Sequence, residues 1–134
     1  MSPLKPLVLV ADDDPDVCWA LDHVLHAVGV QCICALDGRA ALEMIRHNHL
    51  TLALLDAKLP DIDGLELAHR MRAAQPDIPI VVISGYFYKD DPTIQGALEQ
   101  GLIQGFIEKP FLHSEVVEIV KGGLSLQQTP SRMV

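Results

Sequence analysis

Five polar residues directly follow or end apolar runs of this sequence, and their types suit metal and phosphate chemistry. Asp12 and Asp13 follow the run LVLVA, and Asp56 follows TLALL. Ser84 ends PIVVIS, and Lys109 follows GFIE. Crowded carboxylates repel one another, so a chain tolerates such acids either where water surrounds them or where a cation lies among them.

The residue types favour the cation. Three carboxylates without a histidine form a hard-oxygen site, which suits Mg²⁺ because this ion takes one or two carboxylates, waters and a phosphate oxygen. Asp56 stands alone after its apolar run, and such a carboxylate can act as a nucleophile and form an acyl phosphate. Ser84 can donate a hydrogen bond to a phosphoryl oxygen, and Lys109 can supply a positive charge. The pattern predicts a divalent cation among the acids.

The elements that must position these residues follow a regular order. Apolar runs predict strands at residues 7–11, 30–35, 51–55, 80–83 and 105–108, and segments with helical spacing lie between them. Five strands that alternate with five helices predict an α/β fold with a parallel sheet and helices on both faces. Ligands of such sheets bind at the carboxyl ends of the strands, where all five polar residues lie.

The chain resembles the receiver domain of bacterial two-component response regulators, a CheY-like family. The resemblance covers residues 6–122, and its motifs are, in chain order, VADDDPDV, LLDAKLPDIDGLEL, VVISGY and FIEKPF. It implies a doubly wound, flavodoxin-like (βα)5 sandwich whose five-stranded parallel sheet has the order 2-1-3-4-5. Residues 123–134 are expected to form a polar tail, either disordered or the start of a linker. Gly122 and Gly123 should weaken the last turns of the fifth helix.

The same resemblance implies a role for each matching residue. Asp56 would be the phosphoacceptor, and Asp12 and Asp13 would hold Mg²⁺ together with it. Ser84 and Lys109 would contact the phosphoryl group. The bond between Lys109 and Pro110 would be cis, which proline makes accessible. The phosphoryl donor would be a phosphohistidine on a histidine kinase or on a phosphotransfer protein.

The resemblance also implies a switch. Ser84 would move toward the phosphoryl group, and Phe106 would then turn inward and change the face made by helix 4, strand 5 and helix 5. A phosphorylation-dependent homodimer could use this face. The residues expected to form the rim of the pocket are Ala57, Lys58, Gly85 and Tyr86.

The segment from Ser84 to Lys109 is a few residues longer than is usual in the family. The excess lies in YFYKDDPT and GLIQGF, which leaves the course of the fourth helix open. Tyr86, Phe87 and Tyr88 are consecutive aromatics in this segment. Either one of them packs beneath the loop, or the cluster is a contact patch for a partner.

Composition limits the partners. Ten Lys and Arg residues against 18 Asp and Glu residues give a formal charge of −8, which argues against direct binding of nucleic acid. No apolar run reaches the length of a membrane helix, and the N-terminus does not resemble a signal peptide. A cytoplasmic location is therefore expected, with no membrane partner.

A second function class also matches part of the pattern. A phosphatase similar to the haloacid dehalogenases would use Asp12 and Asp14 as its paired acids, with Ser84 and Lys109 downstream. This alternative leaves the segment LLDAKLPDIDG unexplained, and no acidic pair follows Lys109. The receiver is therefore the preferred interpretation, as a switch that catalyses only its own phosphorylation and dephosphorylation and is not otherwise an enzyme.

Overall fold

The structure is a computed structural model that describes residues 6–87 and 90–128. Its strands are β1 (Leu7–Ala11), β2 (Gln31–Ala35), β3 (Leu52–Asp56), β4 (Ile80–Ser84) and β5 (Gly105–Glu108). The helices that alternate with them are α1 (Pro15–Ala27), α2 (Gly38–His47), α3 (Gly64–Ala74), α4 (Pro92–Glu99) and α5 (His113–Gln128). Each of the five strands begins within about one residue of its predicted start, and the helices lie between and after the strands as the helical spacing predicts.

The five strands form one parallel sheet in the order β2-β1-β3-β4-β5. Successive residues of a strand point to opposite faces, and here both faces are covered. Leu52 and Leu54 of β3 pack in the cluster beneath α1 and α5, whereas Ala53 and Leu55 pack beneath α2, α3 and α4. The almost purely apolar sequence of β3 follows from this double burial. The predicted doubly wound, flavodoxin-like fold is confirmed.

Helix boundaries follow from local chemistry. Four helices begin after an aspartate whose carboxylate accepts a hydrogen bond from a backbone amide of the first turn, and these caps are Asp14, Asp37, Asp63 and Asp91. Such a cap satisfies an amide that has no partner within the helix. Four of the five βα connections therefore have a defined end beside the carboxyl edge of the sheet.

The longer segment between β4 and β5 contains a short helix α4 and a tethered loop. Ile94 and Ala97 place α4 against the core. The amide of Ile80 donates to the Gln104 side-chain oxygen at 2.7 Å, and Arg72 donates to the Leu102 carbonyl at 2.7 Å. These bonds fix the loop after α4 to the start of β4 and to α3. Residues 88 and 89, and thus the Tyr88 part of the aromatic cluster, lie outside the described residues.

Helix α5 extends to Gln128, six residues past the predicted end of the domain at residue 122. The two glycines do not end it. A Cβ on Gly123 would lie 2.7 Å from Cδ1 of Leu52, so the absence of a side chain lets the helix approach β3 closely. The part of the predicted tail at residues 129–134 lies outside the described residues. Within the described ranges, no helix combines the length and apolarity needed to cross a membrane.

Candidate functional site

Three carboxylates meet at the carboxyl ends of β1 and β3. Asp12, Asp13 and Asp56 each offer one oxygen atom, and these atoms lie within 4.8 Å of one another. Asp12 is buried at 2% exposure, Asp56 is half-buried and Asp13 is exposed. The parallel register of the sheet brings the strand ends together, so residues more than 40 positions apart become neighbours. The sequence predicted this group.

Lys109 joins the cluster from the end of β5. Its Nζ lies 2.9 Å from Oδ2 of Asp12 and 3.7 Å from Oδ1 of Asp56. Burial alone would lower the pKa of Lys109, but the hydrogen bond to Asp12 and the charges of Asp12 and Asp56 outweigh it and raise the pKa. The ammonium is therefore held in its charged form. The peptide bond between Lys109 and Pro110 is cis, as the resemblance implied.

The Asp56 carboxylate lies near a negative neighbour, Asp12, and a positive neighbour, Lys109. Burial and the charge of Asp12 raise its pKa, while Lys109 and the backbone amide of Lys58 offset this only in part. Three carboxylates against one ammonium leave excess negative charge, which a further cation would relieve. The donor set is made of oxygen atoms on two strands and has a water-accessible side at Asp13. It therefore fits a small hard cation.

Asp14 does not belong to the site. Its amide donates to Oδ1 of Asp12 at 2.9 Å, and its own carboxylate accepts from the amide of Asp16 at 2.9 Å. Asp14 is therefore the cap of α1, and its carboxylate is committed to that role. The phosphatase alternative needs Asp12 and Asp14 to act as a pair, and the structure does not place them so.

Ser84 and Phe106 both lie inside the protein. Ser84 is 1% exposed, and its hydroxyl oxygen accepts from the amides of Tyr86 at 2.8 Å and Phe87 at 3.0 Å. Phe106 pairs with Val82 across the sheet and is 5% exposed in the core. The Phe106 ring lies inward in this conformation, in the cluster beneath α4, and the expectation that it moves on phosphorylation stays a prediction. The hydroxyl, in contrast, is bonded to its own loop.

The four residues predicted to form the rim of the pocket differ in burial: Ala57 is buried, whereas Lys58, Gly85 and Tyr86 are exposed. Ala57 is buried and donates from its amide to the Ile83 carbonyl at 3.2 Å. The Lys58 ammonium lies 4.2 Å from the centroid of the Tyr86 ring. Gly85 is exposed, and a Cβ there would lie 3.6 Å from Cβ of Lys109.

The structure gives a supporting role to two positions near the site that the sequence analysis did not single out. A Cβ on Gly64 would overlap the carbonyl oxygen of Asp56, so the glycine is required for the start of α3 to pass directly beside the acid. The Asp61 carboxylate accepts from the amides of Gly38 at 2.8 Å and Arg39 at 3.0 Å, which ties this loop to α2. The acid-rich, glycine-ended string PDIDG was the available signal for both.

Comparison with known proteins identifies the family of the chain. The chain matches the family described as the response regulator receiver domain over residues 8–121. It is 35% identical over 117 residues to the transcriptional regulatory protein PrrA of Mycobacterium tuberculosis, an alignment that covers 87% of this chain and 49% of PrrA. The chain thus spans about half the length of that relative.

Two further matches extend over all or nearly all of the other chain. The chain is 32% identical over 120 residues to sporulation initiation phosphotransferase F of Bacillus subtilis, which covers 90% of this chain and 94% of that protein. The crystal structure of the response regulator protein TrrA from Thermotoga maritima, in complex with Mg²⁺–BeF, matches with a TM-score of 0.77 and 28% identity. That match covers 90% of this chain and 100% of TrrA. The chain belongs to the receiver domain family of two-component response regulators.

Proposed function

We propose that this receiver domain accepts a phosphoryl group on Asp56, from a phosphohistidine of a histidine kinase or of a phosphotransfer protein, with Mg²⁺ as cofactor. The observation that supports this is the position of Lys109. Its ammonium lies between the buried Asp12 and the half-buried Asp56, at 2.9 Å and 3.7 Å. A positive charge at this position would stabilise the Asp56 side chain, which becomes more negative when it is phosphorylated.

The side chains of the site have separable tasks in this reaction. An oxygen of ionised Asp56 attacks phosphorus, a P–O bond forms, and the P–N bond to the donor imidazole breaks with its electron pair on nitrogen. Lys109 stabilises the negative charge on the phosphoryl oxygens. Mg²⁺ held by Asp12, Asp13 and Asp56 would supply the positive charge that lets two anions approach each other.

The conformational change that would follow phosphorylation depends on Ser84. Its hydroxyl retains one proton that it can donate, although its oxygen already accepts from two amides of the loop after β4. A turn of Ser84 toward a phosphoryl group would change this loop and the adjoining face of α4, β5 and α5. We propose that partner binding or homodimerisation uses this face, and that the acidic chain makes no direct contact with nucleic acid.

We propose no catalysis on a separate substrate. The chain would catalyse only its own phosphorylation and dephosphorylation, because Asp56 is both the nucleophile and the residue that keeps the group. The predicted cytoplasmic location remains a prediction.

Intact-mass spectrometry tests the proposal. Wild type incubated with acetyl phosphate and Mg²⁺ should gain one phosphoryl group, and removal of Mg²⁺ by a chelator should prevent the gain. Asp56→Asn should gain none under the same conditions. Asp77→Asn is a matched control in a different part of the chain and should be phosphorylated like wild type. Equal adducts on wild type and Asp56→Asn would refute the assignment.

A further inference from the structure

Lys58 and Tyr86 connect the loops that follow β3 and β4. Nζ of Lys58 lies 4.2 Å from the centroid of the Tyr86 ring, which is the geometry of a cation–π interaction. Lys58 is two residues after Asp56, and Tyr86 is two residues after Ser84. We call this pair the loop contact, because it joins the loop of the proposed phosphoacceptor to the loop of the proposed switch hydroxyl.

The loop after β4 is held at several points. The Ser84 hydroxyl oxygen accepts from the amides of Tyr86 and Phe87, and the Tyr86 ring packs edge-on against Phe87 with centroids 4.9 Å apart. The Phe87 ring in turn packs against the core beneath α2, α3 and α4. Movement of the Ser84 hydroxyl must therefore either break two hydrogen bonds or carry the Tyr86 backbone with it. In the first case the Tyr86 backbone loses a restraint, and in the second case the Tyr86 ring moves with its backbone.

The Lys58 backbone is fixed beside Asp56, whereas its ammonium is not. Lys58 pairs with Asp63 in an isolated antiparallel bridge, and its amide donates toward the Asp56 carboxylate. The side chain is exposed and has a flexible four-carbon stem, so the ammonium can exchange one partner for another. The present partner is the Tyr86 ring, which is itself 60% exposed.

A phosphoryl group on Asp56 would offer the ammonium a stronger partner than the ring. The phosphorylated side chain carries close to two negative charges where the free carboxylate carries one, and it offers three phosphoryl oxygens as acceptors beside the Lys58 backbone. Charge-assisted hydrogen bonds of this kind exceed an exposed cation–π interaction in strength. We infer that the Lys58 ammonium leaves the Tyr86 ring for the phosphoryl group, and that loss of the loop contact frees the loop after β4 so that Ser84 can turn toward Asp56.

This inference rests on the proposed phosphorylation of Asp56, and it makes Lys58 and Tyr86 positioning residues that act through Ser84. In the unphosphorylated protein the loop contact holds the loop in place and opposes the change. A variant that lacks the ring but keeps the ammonium should therefore reach the phosphorylated conformation more easily. Tyr86→Leu is such a variant, and Tyr86→Phe is its matched control because it keeps the ring.

The test measures the affinity for beryllofluoride, a phosphoryl mimic, by calorimetric titration at saturating Mg²⁺. Tyr86→Leu should bind roughly two- to fivefold more tightly than wild type, because the loop contact no longer has to be broken. Tyr86→Phe should bind like wild type. In the Lys58→Met background, Tyr86→Leu should bring no further gain, since the ammonium is already absent.

The outcomes separate this inference from the proposed function. If wild type binds beryllofluoride and Tyr86→Leu binds no more tightly, the inference is overturned and the proposed function stands. An equal gain from Tyr86→Leu in the wild-type and Lys58→Met backgrounds also overturns it, because the effect would then not pass through the ammonium. If wild type and all variants fail to bind the mimic with Mg²⁺ present, the proposed function falls and takes the inference with it.

Discussion

The amino ends and the carboxyl ends of the strands lie on opposite sides of the sheet, which we call the amino edge and the carboxyl edge. The polar groups of these two edges find their partners by different means. At the amino edge neutral side chains close the strand ends: Thr51 Oγ1 accepts from Leu7, Gln75 bonds both the amide and the carbonyl of Leu50, and Gln104 accepts from Ile80. At the carboxyl edge three carboxylates face one ammonium.

This difference indicates that the amino edge serves mainly the stability of the sheet, whereas the carboxyl edge serves the proposed function. The bonds of the amino edge are complete without any ligand, and their strength is independent of pH across the neutral range because amides and hydroxyls do not titrate there. The carboxyl edge has unbalanced charge that only a bound cation or a proton relieves. We therefore expect changes at the amino edge to affect the free energy of unfolding alone, and changes at the carboxyl edge to depend on Mg²⁺ and pH.

The largest effect is expected for Lys109→Met. This variant leaves the almost fully buried Asp12 carboxylate without its ion pair, and loss of one partner of a buried pair costs about 3 kcal/mol in the free energy of unfolding. Mg²⁺ should restore most of this loss. Urea unfolding with and without Mg²⁺ measures both values, and Lys121→Met on the exposed side of α5 is the control. A loss that Mg²⁺ leaves unchanged would contradict the electrostatic account of this edge.

Gly64→Ala should destabilise the same edge by a different cause. The new methyl group would overlap the Asp56 carbonyl, and overpacking of this kind costs about 1–3 kcal/mol. Because the cause is steric, Mg²⁺ should not restore the loss. Gly96→Ala in α4 is the matched control: a Cβ there meets nothing within 4 Å, so the variant should be more stable by about 0.5–1 kcal/mol. Thermal or urea unfolding of both variants decides the point, and equal effects would refute it.

Gln75→Ala tests the amino edge. It removes two hydrogen bonds to the backbone of the buried Leu50. The Leu50 amide donates to Gln75 Oε1 at 3.2 Å, and Gln75 Nε2 donates to the Leu50 carbonyl at 2.6 Å. We expect a loss of about 1–2 kcal/mol in the free energy of unfolding, equal with and without Mg²⁺. Phosphorylation by acetyl phosphate should proceed at the wild-type rate. Exposed Gln100→Ala should change stability by less than about 0.5 kcal/mol. A slower phosphorylation of Gln75→Ala would show that the two edges are coupled.

The smallest effect expected is a pH dependence. The folded-state pKa of Asp56 is raised, so its contribution to stability is fully present below the ordinary pKa and is lost as pH rises through the folded value. Asp56→Asn cannot ionise, and its stability relative to wild type should therefore increase as pH rises from about 4 to 7 in the absence of Mg²⁺. Urea unfolding at several pH values measures the difference. A constant difference over this range would contradict the raised pKa, and added Mg²⁺ should reduce the difference.

Most of the fold could be predicted because each signal was local. Apolar runs of four to six residues, aspartates before helices and glycines after some of them mark the elements without reference to the rest of the chain. The site residues were equally accessible, since the carboxyl ends of parallel strands share one edge. Asp12, Asp56 and Lys109 needed only their strands to be identified correctly.

What could not be predicted depends on contacts between distant segments. The rotamers of Ser84 and Phe106 depend on the tertiary environment. That environment determines the hydrogen bonds of the Ser84 hydroxyl and the inward position of the Phe106 ring. Likewise, no local pattern shows that Asp61 reaches the start of α2 or that Gly123 lies directly on Leu52. Helix α5 continues through both glycines to Gln128, where the sequence predicts a tail from residue 123, because the packing of Gly123 on Leu52 outweighs the weak helix propensity of glycine.

The bond from Asp61 to α2 has an evolutionary consequence. Both of its carboxylate oxygens accept amides at Gly38 and Arg39, and a Cβ on Gly38 would overlap Cγ2 of Ile62. Positions 38, 61 and 62 are therefore not free to drift one at a time. A lineage that acquires a side chain at position 38 before a smaller one at position 62 passes through an intermediate that overpacking destabilises by about 1–3 kcal/mol, and the reverse order avoids this overlap.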